Sequence, residues 1–270
     1  MNLLKRTYKK LYYYFSNKLL NQKIIELPAE LRSQKNLFIY LDYEREFGGH
    51  KINNDNILEI LNALDKYSIK ATWFTVGKIF EKYPDSINEI LLRGNEIGSH
   101  TYSHIPPFHT SLKELKNDFQ SFSEVSKNII KIDGFHAPNG KWSFSEVKML
   151  RTYQYKYDIV SVNKNRAPSV NMINYFKNYP IIRFNTLGDD WALFNNNFNE
   201  VKVLHHFKEL FNCLQVGQIG GIGVHPWVLF SNKNIYKGFF DFLNFIKETN
   251  NTNVLTLQEY YNQISVNLGN

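Results

Sequence analysis

The chain has 270 residues, of which 43% are hydrophobic and 21% charged, and 32 Lys and Arg outnumber 25 Asp and Glu to give a net charge of +7. This composition, with 17 Tyr and 21 Phe, excludes a disordered or collagen-like chain and is enough for a buried core. A single Cys excludes an internal disulfide. The basic residues are spread along the chain without a nucleic-acid motif, so we expect no nucleic-acid partner.

The first residues form a basic amphipathic stretch in which Lys5, Lys9, Lys10 and other basic residues alternate with Leu, Tyr and Phe. The stretch lacks the apolar run of a signal peptide and is too polar to span a membrane. Residues 1–22 are therefore expected either to lie on an anionic membrane surface or to pack on the protein itself. We expect a cytoplasmic protein, peripheral at the inner face of the membrane in the first case.

From Leu37 onward, short apolar segments alternate with helical patterns, and no Pro/Gly/Ser-rich linker interrupts them. This predicts an N-terminal segment over residues 1–35 and one catalytic domain over residues 36–270. Strands are predicted at residues 38–41, 70–76, 96–98, 134–136, 158–162, 181–184, 221–224 and 254–257. Helices are predicted at residues 54–66, 84–93, 111–128, 199–214 and 237–247.

Strand and helix alternation along a whole chain predicts an α/β fold with a parallel sheet. A closed or nearly closed (β/α) barrel and an open doubly wound sheet both fit the alternation. The barrel is favoured because no Gly-rich dinucleotide fingerprint follows the first strand. In either fold, functional side chains gather at the carboxyl ends of the strands.

Two acidic residues, Asp42 and Glu44, follow the first predicted strand. Residues two apart in an extended backbone point the same way, so both carboxylates can face one pocket. One of them could then bind a metal while the other accepts a proton. Acidic residues at strand ends are also often solvated or cap the next turn.

Two histidines, His100 and His104, follow the strand predicted at residues 96–98. Their i, i+4 spacing would place both rings on one face of a helical turn, where they could bind one metal ion.

The segment around these histidines, residues 94–104 with the sequence GNEIGSHTYSH, closely resembles the second motif of the polysaccharide deacetylases, the NodB-homology carbohydrate esterases. The resemblance extends over most of the chain from Leu37 onward. It implies a distorted (β/α) barrel that hydrolyses N-acetyl groups of sugars with a divalent metal ion, with zinc the expected ion. It also implies that His100 and His104 are metal ligands.

The first motif of the family has two adjacent Asp, whereas here Tyr43 separates Asp42 from Glu44. By analogy with the family's order, Asp42 is expected to be the catalytic base and Glu44 the third metal ligand, and the reverse assignment stays open. Residues 134–140, GFHAPNG, resemble the third motif, with His136 in place of an Arg that orients the catalytic carboxylate in relatives. His136, Pro138 and Asn139 are therefore expected to contribute to substrate binding.

Residues 189–191 resemble the fourth motif, which implies that Asp190 tunes the catalytic histidine and that Trp191 walls the pocket for the acetyl methyl group. Without the resemblance, this segment would be interpreted as a loop with a packed Trp. Residues 222–227, IGVHPW, resemble the fifth motif, which implies that His225 is the general acid.

The expected function is removal of an N-acetyl group from a sugar in a glycan or a lipid-linked glycan precursor, with release of acetate. Two alternatives stay open. The altered first and third motifs fit a non-catalytic glycan-binding protein on the same fold, and related barrels hydrolyse formamides or cyclic amides.

Overall fold

The computed structural model describes residues 20–48, 51–161, 170–174, 179–194 and 196–266. Ten strands lie in these ranges: β1 Asn21–Ile24, β2 Lys35–Tyr43, β3 Thr72–Thr75, β4 Glu96–Ser99, β5 Gly134–His136, β6 Tyr157–Ser161, β7 Asn171–Asn174, β8 Pro180–Asp189, β9 Ile219–Val224 and β10 Thr252–Val254.

Eleven α-helices lie in the same described ranges: α1 Ala29–Arg32, α2 Asn54–Lys66, α3 Lys78–Lys82, α4 Pro84–Leu92, α5 Leu112–Ser126, α6 Phe144–Thr152, α7 Trp191–Phe194, α8 Glu200–Asn212, α9 Pro226–Leu229, α10 Lys233–Glu248 and α11 Leu257–Ser265. None of the helices in the described part of the chain combines the length and apolar character needed to span a bilayer.

Seven parallel strands close into a barrel in the order β2, β3, β4, β5, β6, β8 and β9, and β9 pairs back with β2. The predicted distorted (β/α) barrel is therefore confirmed, and the open sheet is excluded. Outside the ring, β7 pairs antiparallel with β8, β1 pairs antiparallel with β7, and β10 pairs with the start of β2.

Strand β2 is buried on both faces, as expected for a barrel strand covered by helices. Leu37, Ile39 and Leu41 pack in the hydrophobic cluster that includes the surrounding helices, whereas Phe38 and Tyr40 pack in the cluster that includes Phe74, Tyr157 and Phe184 from other barrel strands. Because side chains alternate along a strand, Asp42 lies on the same side of β2 as Phe38 and Tyr40. The alternation thus places a carboxylate above an aromatic barrel interior.

Two sequence predictions need correction. The strand predicted at residues 254–257 is β10, which ends at Val254, because Thr256 caps α11 by accepting a hydrogen bond from the Glu259 main-chain N–H. The helical turn predicted for His100 to His104 is also wrong: Thr101 and His104 have φ of 61° and 59°, so an irregular loop brings the two rings together.

The predicted amphipathic stretch falls almost entirely outside the described residues, and the predicted division at residue 35 stays a prediction. In the part of the chain before residue 35, Leu20 is buried and β1 extends the sheet. Leu31 of α1 packs in the same hydrophobic cluster as Phe38 and Tyr40.

Candidate active site

Polar side chains from five strand ends meet at the carboxyl edge of the barrel. Asp42 lies near the end of β2, His136 ends β5, and His100, Asp190 and His225 follow β4, β8 and β9. Glu44 and His104 come from the segments that continue from β2 and β4. Almost all of these residues are buried, with His104 and His225 retaining partial exposure of their side chains.

Glu44, His100 and His104 form a cluster whose ligand atoms lie close enough to share one ion. Oε1 of Glu44 lies 2.9 Å from Nε2 of His104 and 3.5 Å from Nε2 of His100. The buried Nε2 of His104 has no hydrogen bond of normal geometry among the described residues. Two imidazoles and a carboxylate that converge in this way fit a divalent cation such as Zn²⁺.

The electrostatics of the cluster favour the protonation states of metal ligands. Burial alone would raise the pKa of Glu44, but the imidazoles of His100, His104 and His225 hold it well below its usual value. Burial lowers the pKa of His100 and so favours its neutral ring. Metal ligands must be deprotonated, and these shifts favour that state.

Neighbouring groups orient the ligands. The Nδ1–H of His100 donates to the main-chain carbonyl of His136 at 2.8 Å, which leaves Nε2 of His100 as the free lone pair facing Glu44. The indole N–H of Trp227 donates to Oε2 of Glu44 at 2.8 Å and leaves Oε1 for the two histidines. Such partners fix tautomer and orientation in metal sites.

Asp42 is paired with His136 rather than with an arginine. Nδ1 of His136 lies 2.8 Å from Oδ1 of Asp42, and the ring packs edge-on against Tyr40 at 5.3 Å between centroids. Burial would raise the pKa of Asp42, but His136 and, more weakly, His100 and His225 lower it below its usual value. The Asp42 carboxylate is therefore ionised at neutral pH.

Asp190 and His225 form a second buried pair. Oδ1 of Asp190 accepts a hydrogen bond from the His225 ring Nδ1–H at 2.7 Å, and Oδ2 accepts one from the His225 main-chain N–H at 2.8 Å. Burial would lower the pKa of His225, but the Asp190 carboxylate raises it to about 10. The opposite ring nitrogen, Nε2, lies 3.6 Å from Oδ2 of Asp42, so a proton donor and a proton acceptor face one another.

The remaining predicted site residues lie around this group. Trp191 is 52% exposed, and its ring centroid lies 6.2 Å from that of His225 and 6.0 Å from that of Trp227. Pro138 and Asn139 lie in a turn that begins two residues after His136, in which Pro138 is buried and Asn139 is exposed with φ of 63°. No hydrogen bond or ion pair joins Asn139 to the cluster in the described ranges, and the substrate role of both residues stays a prediction.

One supporting residue was missed by the sequence analysis. Trp227 lies in the segment that carries the fifth motif, but its hydrogen bond to Glu44 joins residues 183 positions apart. The only signal in the sequence is an indole two residues after a strand-end histidine.

The fold and the site together define a distorted (β/α) barrel with a candidate metal centre at the carboxyl ends of its strands. Residues 34–157 match the family model described as polysaccharide deacetylase. The chain is 30% identical over 116 residues to a peptidoglycan deacetylase of Helicobacter pylori, an alignment that covers 42% of this chain and 39% of that protein. The chain is therefore similar to the polysaccharide deacetylases over a little under half of its length.

Solved structures show the same fold at lower identity. A structure from Mycobacterium smegmatis assigned to the polysaccharide deacetylases superposes with a TM-score of 0.75 at 13% identity, covering 93% of this chain and 97% of that one. PuuE allantoinase superposes with a TM-score of 0.69 at 14% identity, covering 90% and 93%. The chain spans well under half the length of the first curated relatives it matches.

Proposed function

We propose that this protein is a metal-dependent hydrolase that removes the N-acetyl group from a sugar of a glycan and releases acetate. The observation that carries the proposal is the convergence of Glu44, His100 and His104 beside the proton acceptor Asp42 and the proton donor His225. Similarity to the polysaccharide deacetylases and to the peptidoglycan deacetylase of Helicobacter pylori supports the choice of substrate.

Glu44, His100 and His104 would hold the ion, with zinc as the proposed identity because its ligands are typically imidazole nitrogens and carboxylate oxygens. When bound, a divalent cation supplies Lewis-acid chemistry, in which a water is acidified and an amide carbonyl is polarised. The distances support the assignment of Glu44 rather than Asp42 as the ligand. Oε1 of Glu44 lies less than 4 Å from Nε2 of both His100 and His104.

Proton transfer is assigned to the two residues that face one another. Asp42, ionised and held by His136, accepts the proton of the attacking water. His225, kept protonated by Asp190, donates a proton to the sugar nitrogen as the C–N bond breaks. The products are acetate and a free amino sugar.

The exposed ring of Trp191 supports a role at the mouth of the site. It packs beside the rings of His225 and Trp227 while remaining half exposed, which supports the proposal that it contacts the acetyl methyl group. We also propose, from the basic amphipathic residues 1–22, that the glycan is a lipid-linked precursor at the cytoplasmic face of a membrane.

The decisive experiment is acetate release from N-acetylated glycans by the full chain, with and without a chelator. We expect activity that a chelator abolishes and zinc restores, and that is lost in His100→Ala. The exposed His205→Ala, which changes a histidine on α8, is the matched control and should keep full activity.

Formylated and cyclic amide substrates belong in the same assay, because the fold is shared with an allantoinase. Preference for one of these substrates would replace the proposed sugar deacetylase with another amidohydrolase. Sugar binding without release of any acid would overturn the proposed hydrolase in favour of a glycan-binding protein.

A further inference from the structure

The loop that joins the two candidate histidine ligands has an unusual backbone. Thr101 and His104 both have positive φ, a conformation that L-residues other than Gly adopt at a cost of about 1 kcal/mol or more each. In this conformation Nε2 of His104 lies 2.9 Å from Oε1 of Glu44. Interactions elsewhere must therefore stabilise it.

The polar groups of the loop backbone are bonded on two sides. The carbonyls of Thr101 and Tyr102 accept hydrogen bonds from the main-chain N–H groups of Gly77 and Lys78, at 3.0 and 3.1 Å. The main-chain N–H groups of Tyr102 and Ser103 donate to the side chain of Asp118, at 2.6 and 3.0 Å. The hydroxyl of Ser103 also donates to Oδ2 of Asp118 at 2.6 Å.

Asp118 reaches the loop from helix α5 and is 6% exposed. Its hydrogen bonds within the described part of the chain all go to Tyr102 and Ser103, the residues directly before His104. A buried carboxylate that accepts three hydrogen bonds from two consecutive residues restrains both peptide planes.

His100 is held by different groups. Its main-chain N–H donates to the carbonyl of Thr75 at 3.0 Å, which continues the β3–β4 pairing, and its ring donates to the carbonyl of His136. The two imidazoles therefore depend on separate supports, although only three residues lie between them. Loss of Asp118 should displace His104 and leave His100 in place.

We propose that Asp118 is a positioning residue that delivers His104 to the metal site by restraining the main chain of Tyr102 and Ser103. The proposal rests on the proposed function, since it assigns a support to one ligand of that metal centre. Among the described residues, Asp118 has no hydrogen bond to the ring of His100 or His104.

The test measures the zinc affinity of the metal-free full chain by titration, alongside the thermal unfolding of the metal-free protein. Asp118→Ala should weaken zinc binding by about 10- to 100-fold, the range typical of lost outer partners of metal ligands. Asp118→Asn should fall between, because its amide oxygen can accept from Tyr102 while its NH₂ group cannot accept from Ser103. Asn117→Ala, an exposed change on the same helix, should bind zinc like the wild type.

A double-mutant cycle separates positioning from general destabilisation. In a His104→Ala background, Asp118→Ala should weaken zinc binding no further, because the ligand it positions is gone. In a His100→Ala background, its effect should persist in full. If Asp118 had only a structural role, Asp118→Ala would lower the thermal stability of the metal-free protein equally in both backgrounds and would not weaken zinc binding selectively in the His100→Ala background.

The outcomes distinguish the inference from the function on which it rests. Wild-type zinc affinity in Asp118→Ala, or equal losses in the His104→Ala and His100→Ala backgrounds, would overturn the positioning role alone. A wild-type chain that binds no zinc would overturn the proposed function and this inference with it.

Discussion

At the scale of single residues, the proposed general acid His225 is held by two hydrogen bonds to Asp190. Asp190 holds both the ring and the main chain of His225, and directs its free nitrogen toward Asp42. General acid catalysis by a positioned side chain contributes about 10²- to 10⁴-fold to a rate. The orientation and charge of His225 thus depend on a residue that does not touch the substrate.

Asp190→Asn should lower kcat by about 10²- to 10⁴-fold, because the amide cannot stabilise the protonated ring as a carboxylate does. Steady-state kinetics of acetate release would measure the loss. Zinc affinity should stay within a few-fold of the wild type, because Asp190 does not contact the three candidate ligands. Unchanged turnover in this variant would exclude His225 as the proton donor in its proposed form.

The residues that carry chemistry were predictable to the extent that they follow strands. Asp42, His100, His136 and His225 follow or end buried strands in the sequence, and the carboxyl ends of parallel strands meet at one edge. Asp118, which is proposed to act through the loop before His104, gave no such signal. Asp118 lies in the middle of an amphipathic helix, and only the folded chain shows that it faces the loop before His104.

At the scale of elements, the register between β2 and β9 determines how the barrel interior is filled. Phe38 lies opposite Gly221 and Tyr40 opposite Gly223, so each aromatic ring occupies the space that a side chain on β9 would need. A Cβ at Gly221 would lie 2.0 Å from Cε2 of Phe38. The floor beneath Asp42 therefore depends on glycines of the neighbouring strand.

Gly221→Ala should destabilise the protein by about 1–3 kcal/mol, the usual cost of overpacking a core. Urea unfolding would measure the change. In combination with Phe38→Leu, which removes the ring atoms that collide, the loss should be smaller than the sum of the two single losses. Strict additivity would show that the ring and the glycine do not share this space.

Elements with strong patterns were predicted well, and short polar ones were not. Helix α2 begins at Asn54 and ends at Lys66 as predicted, because Asn53 forms a capping box with Asn56 and the apolar residues recur at helical spacing. Strands β1 and β7, with the sequences NQKI and NMIN, were missed because neither carries an apolar run or a clear alternation. β7 pairs with residues 180–183 of β8, which precede the part of that strand paired with β9, and β1 pairs with β7.

At the scale of the whole molecule, one buried carboxyl group should make folding depend on pH. Glu146 of α6 is 1% exposed and lies near the buried ion pair of Asp158 and Arg183. Burial and the charge of Asp158 raise its pKa well above the usual value. The folded chain therefore holds this proton more tightly than the unfolded chain does.

A raised carboxyl pKa stabilises the fold at pH values below the unfolded pKa of about 4.3, and this contribution is lost as the pH rises toward the folded pKa. Glu146→Gln should remove this loss of stability at higher pH, because Gln keeps the capping hydrogen bond from Ser143 but cannot ionise. Its free energy of unfolding relative to wild type should therefore rise between pH 4.5 and pH 7. Glu259→Gln, at the same capping position of α11 but exposed, is the matched control for replacing a capping Glu by Gln.

Membrane contact through residues 1–22 stays a prediction at this scale, because residues 1–19 lie outside the described ranges. The full chain should bind anionic vesicles more strongly than neutral ones. Lys9→Glu with Lys10→Glu should reduce that binding at least about 30-fold, at about 1 kcal/mol per basic residue lost near the surface. Sedimentation with vesicles would measure it. Equal binding of the variant and the wild type would refute the surface role.

His136 supports two neighbours with two different parts of itself: its ring holds Asp42 and its main-chain carbonyl holds His100. The peptide oxygen persists whatever side chain occupies this position, whereas the ring does not. A single substitution of His136 should therefore impair proton abstraction by Asp42 and leave the main-chain support of His100 in place. A barrel built in this way has a short evolutionary path between an enzyme and a lectin.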